Sequence, residues 1–349
     1  MILLAIETTC DETGAAILES PKPPNSVAPR VLSSIVSSQI ALHEQFGGVV
    51  PEIAARAHVR QLLTVIDESL RQASVTLKDI EAIAIATRPG LVGALVVGLT
   101  AAKSLALALN VPLVAFDHVE GHLYACQLAN PDRNVYPFVG LVASGGHTSL
   151  FRCEGPIESE FLGGTIDDAA GEAFDKVASL LGLGYPGGPE IEKAAKSGNP
   201  KAFNLPRSFL RDDRIAFSFS GLKTAVLYTL RGQNASVAQQ ISSPTLVADL
   251  AASFQEAVVD ILIAKTRLAL RKTGLRRIGI GGGVAANSRL RDRMGELARQ
   301  EGVELLFPPM SLCTDNAAMG GIAFAKLEAG QDVGLDADVT PGLVRPGRA

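Results

Sequence analysis

Apolar positions in the first forty residues fall in short blocks at Ile2–Glu7, Gly14–Leu18 and Val31–Ser38, which predicts three strands. From Pro51 to about Gln72 the period lengthens. Ile53, Ala57, Leu62, Ile66 and Leu70 share one helical face, and Pro51 suits the first turn. A strand is expected at Ala82–Ala86, then a turn at Arg88-Pro89-Gly90, a long helix to Asn110, a strand at Leu113–Phe116 and a helix carrying His118 and His122. The second half repeats the order, with strands at Phe138–Ala143, Ser149–Arg152 and Glu160–Gly163 and a helix at Ala169–Leu181. A long helix at Leu246–Lys272 precedes a strand at Arg277–Ile280, and the Gly281-Gly282-Gly283 turn leads into a helix from about Asn287 to Gln300. A strand at Val303–Phe307 and a helix from about Asp315 to Ala329 close the pattern. Each half reads β-turn-β-β-α, β-Gly turn-α, β-α, without a repeat at the level of residues. The expected fold class is α/β, two duplicated lobes around a central cleft that the C-terminal ends of the strands face. The expected boundaries are 1–134, 135–330 and a tail at 331–349.

The chain has 349 residues, of which 47% are hydrophobic and 19% charged, enough apolar material for two domains. Its net charge of −4 excludes a histone-like basic binder, so any contact with nucleic acid must come from a local basic patch. One candidate is the interruption from Gly182 to Gln233, an insert expected at about 183–232. Between Lys201 and Arg231 it holds six basic residues (Lys201, Arg207, Arg211, Arg214, Lys223, Arg231) against Asp212 and Asp213. It reads either as a solvated surface insert or as a contact with phosphate backbone.

The four cysteines form no CxxC pair, which argues against a disulfide framework or a thiolate zinc site and for a reducing compartment. The N-terminus lacks a basic n-region and reads as a strand, not as a signal peptide. Leu91–Leu109 is apolar enough to consider a membrane span. Lys103 and scattered Gly and Thr favour a helix buried over a sheet. A soluble cytoplasmic protein is the expectation, with no membrane partner.

Two features carry chemistry. His118-Val-Glu-Gly-His122 sets two imidazoles on one helix face, the spacing by which a helix supplies two metal ligands. Asp315 stands at the head of the equivalent helix in the second half, and two His with one Asp make an open ligand set suited to zinc or ferrous iron. Val119 stands where an HExxH metalloprotease has its Glu, which weighs against proteolysis. Glu7-Thr-Thr-Cys-Asp11-Glu12-Thr13-Gly14 and Val142-Ala143-Ser144-Gly145-Gly146-His147-Thr148 are β-turn-β segments in equivalent places, one acidic and one glycine-rich. Together they suggest a nucleotide cleft, the N–H groups of Gly145 and Gly146 and Ser144 Oγ being placed to receive an oxygen. Gly281-Gly282-Gly283 leading to Asn287 is a strand-to-helix glycine turn, but neither GxGxxG in a dinucleotide-binding setting nor a P-loop occurs. Asp175 and the segment Tyr185–Glu192, expected as a loop, could reach ribose hydroxyls or could simply face solvent.

The segments IETTCDET, GGVVPE, PGLVGAL, HVEGH, SGGHT, DDAAGEAFDK, YPGGP, FSFSGLKT, GGGVAAN and CTDNAAM, in this order, resemble the bacterial TsaD family of tRNA threonylcarbamoyladenosine synthesis. The resemblance runs from residue 1 to about 330. It implies the actin-like, sugar-kinase and Hsp70 (ASKHA) fold. It also implies transfer of threonylcarbamoyl from threonylcarbamoyl-AMP to N6 of adenosine 37 in tRNAs reading codons that begin with A. By position, His118, His122 and Asp315 match the family's metal ligands, usually iron, and Val142, Ala143, Ser144, Gly145, Gly146, Asp175, Gly188 and Asn287 match its adenylate contacts. Glu192 matches a position that is acidic in only some members, and Ala143 replaces the Val common in the family's turn. A TsaB-like paralogue and a TsaE-like P-loop ATPase are the implied partners, beside tRNA.

For such a transfer, Asp11 or Glu12 is the candidate acceptor of the N6 proton. A small-molecule kinase or ATPase of the same fold is the alternative, although His₂Asp suits Mg²⁺ poorly. A zinc endopeptidase, the family's former description, is a more remote one.

Overall fold

The computed structural model describes residues 1–21, 27–231 and 243–342. The chain divides into two compact units. The first holds residues 1–136 and 153–159 and the chain from 307 onward; the second holds 137–152 and 160–306.

The first unit is built on the sheet β3-β2-β1-β4-β5, from β1 (Ile2–Glu7), β2 (Glu12–Glu19), β3 (Arg30–Ser38), β4 (Ala82–Arg88) and β5 (Leu113–Asp117). β1 pairs antiparallel with β2 and parallel with β4, and β4 runs parallel to β5. Successive residues point to opposite faces, so the central strands divide their side chains between two cores. Leu4, Ile6, Ile17, Ile83 and Ile85 meet Leu62, Val65, Ile66, Leu99 and Ala102 of helices Pro51–Ala73 and Val92–Leu109. Leu3, Ala5, Ala16, Ala82, Ala84 and Ala86 form the other face, against Phe116, Tyr124 and residues 317–324. That face is rich in alanine because a 3₁₀ segment, Ala317–Ile322, lies close upon it. A Cβ on Gly320 would stand 2.6 Å from Ala5 Cβ, and one on Gly321 3.1 Å from Leu18 Cδ2. Val92–Leu109 has the length and apolarity of a membrane span, yet its Ala94, Leu95, Leu99, Ala102 and Ala106 are buried within the protein.

The second unit repeats the topology as β10-β9-β6-β7-β8, from β6 (Phe138–Ala143), β7 (Thr148–Gly155), β8 (Glu158–Gly164), β9 (Arg277–Gly281) and β10 (Glu304–Leu306). β6, β9 and β10 are parallel, as β1, β4 and β5 are in the first unit. The long helix Pro244–Thr273 is buried over most of its circumference, and Phe254 meets Phe174 edge-on at 5.2 Å between ring centroids.

Two elements differ from the sequence expectation. The Tyr185–Glu192 loop is largely helix, Gly187–Ala195, and the last helix starts later than Asp315, as the 3₁₀ segment followed by helix Ala323–Glu328. Glycines at Gly320 and Gly321 weaken the regular α-helix there, while the alanine face beneath rewards close approach.

The basic insert also contains helix Ser220–Arg231. Its loop is clamped to the long helix, since Lys265 Nζ donates to the carbonyls of Asp212 (2.6 Å) and Arg214 (2.7 Å), and Lys272 Nζ donates to that of Asp213 (2.6 Å). The side chain of Arg231, position 232 of the insert, and the tail beyond 342 lie outside the described residues.

Candidate active site and metal centre

Asp117 ends β5 and caps the helix His118–Leu128, its Oδ1 accepting from the N–H groups of Val119 (2.8 Å) and Glu120 (3.4 Å). The cap fixes the first turn, and the four-residue spacing sets the His118 and His122 rings edge to face with centroids 4.6 Å apart. Asp315 sits in the turn ahead of Ala317–Ile322, where Asn316 is fully extended and donates from Nδ2 to Thr314 O at 2.7 Å. Asp315 thus reaches the histidines within the first unit, whereas the sequence reading set it in the second lobe.

His118 Nε2 stands 3.4 Å and His122 Nε2 3.2 Å from the same oxygen, Asp315 Oδ1. One ligand atom from each of the three residues lies within 4.8 Å of the other two, and both histidines are buried. Behind His118, Nδ1 donates to Glu7 Oε2 at 3.1 Å, with Thr9 Oγ1 at 3.2 Å, and Glu7 Oε1 accepts the Thr9 N–H at 2.7 Å. A carboxylate behind a ligating imidazole is the usual arrangement that orients the ring and raises its basicity. Sequence reasoning missed Glu7 in this role. The available signal was its position at the C-terminal end of central strand β1, where α/β sheets assemble their sites.

Electrostatics agree with a cation site. Burial alone would lower the His118 pKa, but the Asp315 and Glu7 carboxylates outweigh it and hold it well above the ordinary value. Burial would raise Asp315, yet the His118 charge and both imidazole hydrogen bonds hold it well below the carboxylate range. Burial keeps His122 below its usual value against the pull of Asp315, and its buried Nδ1 has no hydrogen-bond partner among the described residues. Two buried nitrogens competing for one carboxylate oxygen, with mixed N and O donors, fit a divalent ion of the zinc or ferrous class.

Asp11 and Glu12 follow in the turn between β1 and β2. Glu12 is pushed up to about 10, first by burial and then by the Asp315 and Asp11 carboxylates. It is therefore held as a neutral acid near pH 7 and is a poor proton acceptor. Cys10 is held as a thiol by burial, with Asp11, Asp315 and Glu12 adding to the effect.

In the second unit, Val142 and Ala143 end β6, and the turn after them closes through Ser144 N–H to His147 O at 2.8 Å. Ser144 Oγ accepts from His147 N–H at 3.2 Å, so the hydroxyl is engaged in shaping the turn. Open space surrounds the Cβ positions of Gly145, Gly146 and Gly188. Gly171 and Gly282 come against the same turn: a Cβ would stand 2.6 Å from Ser144 O on the first and 2.4 Å from Ala143 O on the second, which also has φ near +90°. Asp175 Oδ1 accepts the Gly187 N–H at 2.7 Å and so anchors the helix carrying Gly188 and Glu192. Asn287 Oδ1 caps the next helix through Leu290 N–H at 3.0 Å, while its Nδ2 donates to Gln255 Oε1 at 2.8 Å and Glu192 Oε2 at 3.2 Å. The structure therefore brings Ser144–Gly146, Gly171 and Gly282 together, ties Asp175 to the start of the Gly188 helix, and joins Glu192 to Asn287.

The profile of TsaD, tRNA N6-adenosine threonylcarbamoyltransferase, matches residues 30–322. The tRNA N6-adenosine threonylcarbamoyltransferase of Rhodopirellula baltica is 51% identical over 355 residues, covering 99% of this chain and 97% of the relative. That of Bacillus subtilis is 48% identical over 348 residues, covering 98% and 95%. Among solved structures, (R)-2-hydroxyglutaryl-CoA dehydratase component A from Acidaminococcus fermentans superposes with a TM-score of 0.53 at 15% identity, over 95% of this chain and 99% of that one. HypF from T. kodakarensis gives 0.60 at 15% identity, over 94% of this chain, which spans about half of HypF (48%). At such low identity these likenesses establish the fold alone, the duplicated α/β unit of the actin-like, sugar-kinase and Hsp70 class. With its profile matched over most of the sequence and relatives near half identical along almost their whole lengths, the chain belongs to the TsaD family of tRNA N6-adenosine threonylcarbamoyltransferases.

Proposed function

We propose that the chain moves the threonylcarbamoyl group of threonylcarbamoyl-AMP to N6 of adenosine 37 in tRNAs reading codons that begin with A, with His118, His122 and Asp315 holding one divalent metal ion, Fe²⁺ in preference to Zn²⁺. The observation that carries this reading is the convergence of both imidazole Nε2 atoms on Asp315 Oδ1, with Glu7 behind His118. A two-histidine, one-carboxylate set with open positions is the pattern of ferrous sites. When bound, such an ion supplies Lewis acidity and a grip for oxygen ligands.

The chain's own residues carry the remaining requirements. AMP is a good leaving group, so orientation and charge placement account for most of the demand. The exposed peptide N–H groups of Gly145 and Gly146, with Val142, Ala143, Ser144, Asp175, Gly188, Glu192 and Asn287 around them, are read as the adenylate contacts. The N6 amine attacks the carbamoyl carbon, the bond to the AMP phosphate oxygen breaks, and Asp11 takes the proton that N6 sheds. Glu12, held neutral, donates rather than accepts.

Of the insert, Arg207 pairs with Asp260 at 2.8 Å and the exposed Arg214 with Asp212 at 2.5 Å; Lys201 and Arg211 are likewise exposed. The tRNA phosphate contact is therefore assigned to Lys201 and Arg211. A TsaB-like paralogue and a TsaE-like ATPase are the proposed partners, in the cytoplasm.

Reconstitution tests the reading. Purified chain, threonylcarbamoyl-AMP, tRNA and the two partners should yield modified adenosine, and loss of product in the His122→Ala variant should accompany loss of bound metal. Full product from metal-free protein would remove the metal from the reaction.

A further inference from the structure

Two buried histidines, His43 and His58, take no part in the reaction as described, and both are fully enclosed. Their hydrogen bonds run in one direction. Cys10 O can only accept, so His58 Nε2 carries the proton and donates to it at 3.0 Å. His58 Nδ1 is then a bare acceptor, and it takes the Thr13 hydroxyl proton at 2.8 Å. At the other end, the Val50 N–H can only donate, so His43 Nδ1 accepts it at 3.3 Å and His43 Nε2 donates to Gln39 Oε1 at 3.3 Å. The Gln39 amide nitrogen lies 3.3 Å from His58 Nδ1 and 3.5 Å from Thr13 Oγ1 and closes the series. Burial lowers the His58 pKa, in keeping with the neutral ring this scheme needs.

The array ends on the turn that carries Asp11. His58 holds the carbonyl before Asp11, and the Gln39 main-chain N–H donates to the Asp11 carbonyl itself at 2.9 Å. Both peptide oxygens flanking the Asp11 Cα are thereby fixed. On its other side the turn is tied to the metal ligands through Thr9 and Glu7. Buried polar chains of this kind rigidify what they touch when every member is satisfied. A displacement of about 1 Å at a reacting group can cost on the order of 10² in rate.

We infer that His58, supported by Thr13, Gln39 and His43, is a positioning residue that aims the Asp11 carboxylate at the N6 proton. The inference rests on Asp11 being the proton acceptor.

The test is a double-mutant cycle of His58→Ala and Asp11→Asn, read as single-turnover transfer at saturating threonylcarbamoyl-AMP and tRNA with both partners present. His58→Ala should slow the step by roughly 10–100-fold. Dissociation constants for both substrates and the metal content should stay within about twofold of the parent. His58→Gln, which keeps a donor for Cys10 O, should recover most of the rate. In the Asp11→Asn background, His58→Ala should add almost nothing. Thr13→Val, nearly isosteric, gives the same reading should His58→Ala fail to fold.

A parental rate in both His58→Ala and Thr13→Val, with a slow Asp11→Asn, overturns the array and leaves Asp11 as base. Losses that multiply across the cycle, or that appear only in substrate affinity, also overturn it. A parental rate in Asp11→Asn refutes the base reading itself, and a slow His58→Ala beside it would show that the array acts on something other than Asp11.

Discussion

At the residue scale, the proposed metal site rests on groups that share one oxygen and one supporting carboxylate. His118→Ala, His122→Ala and Asp315→Ala should each lose bound metal and transfer activity while remaining folded. Glu7→Gln, which keeps the shape but removes the charge behind His118 Nδ1, should weaken metal affinity by about 10–100-fold. Metal analysis across a range of free ion concentrations checks this, and full occupancy in the Asp315 variant would remove that residue from the ligand set. Glu12 offers a test in pH. Its folded pKa near 10 lies above the ordinary carboxylate value of about 4.3, so the native state retains a proton that the unfolded chain releases between them. Stability arising from Glu12 is therefore complete below about pH 4 and falls steadily as pH rises toward 10. Glu12→Gln is neutral in both states and should flatten that fall. Its melting temperature should exceed the parent's at pH 9, with the difference vanishing near pH 4. Equal pH profiles for the two proteins would show that Glu12 is charged in the folded state.

At the element scale, the glycines after the second-unit strands separate packing from function. Gly282 has φ near +90° and no room for a Cβ, so Gly282→Ala should cost about 2 kcal/mol or more in unfolding free energy. Gly145→Ala meets open space and should leave stability within about 0.5 kcal/mol. If the turn's N–H groups serve the adenylate, threonylcarbamoyl-AMP binding should nonetheless weaken in that variant. Thermal unfolding beside ligand titration distinguishes the two effects, and unchanged affinity in Gly145→Ala would detach the turn from the substrate. The central strands were legible as short apolar blocks because both their faces are buried, and helix Pro51–Ala73 because one face meets a core. Helix Gly187–Ala195 was not legible, since its opening Gly-Gly-Pro has the composition of a turn. What holds its start is Asp175 Oδ1 on the Gly187 N–H, a contact twelve residues away in sequence.

At the scale of the whole molecule, charge is the property that sequence describes least well. The insert adds +4 to a chain whose total is −4, which reads either as a solvated surface or as a phosphate contact. Asp260 neutralises Arg207 locally, and Lys265 and Lys272 are committed to the loop's own carbonyls. Arg211→Ala should therefore lower the salt slope of tRNA binding by about one unit, whereas Arg207→Ala should chiefly reduce stability. Binding isotherms at several salt concentrations would show it, and an unaltered slope in the Lys201→Ala/Arg211→Ala double variant would return the insert to plain surface. Sequence by itself determined the duplicated α/β order, the histidine pair on one helix face and the family, because periodicity, i to i+4 spacing and ordered motifs are local properties of a chain. Tertiary structure alone decided that Asp315 joins the histidines inside the first unit, that Glu7 stands behind His118, and that His58 grips the Asp11 turn. Each of these pairings spans between 48 and 197 residues, and only the packing of glycine against an alanine-lined sheet and the burial of polar groups that must find partners bring them together.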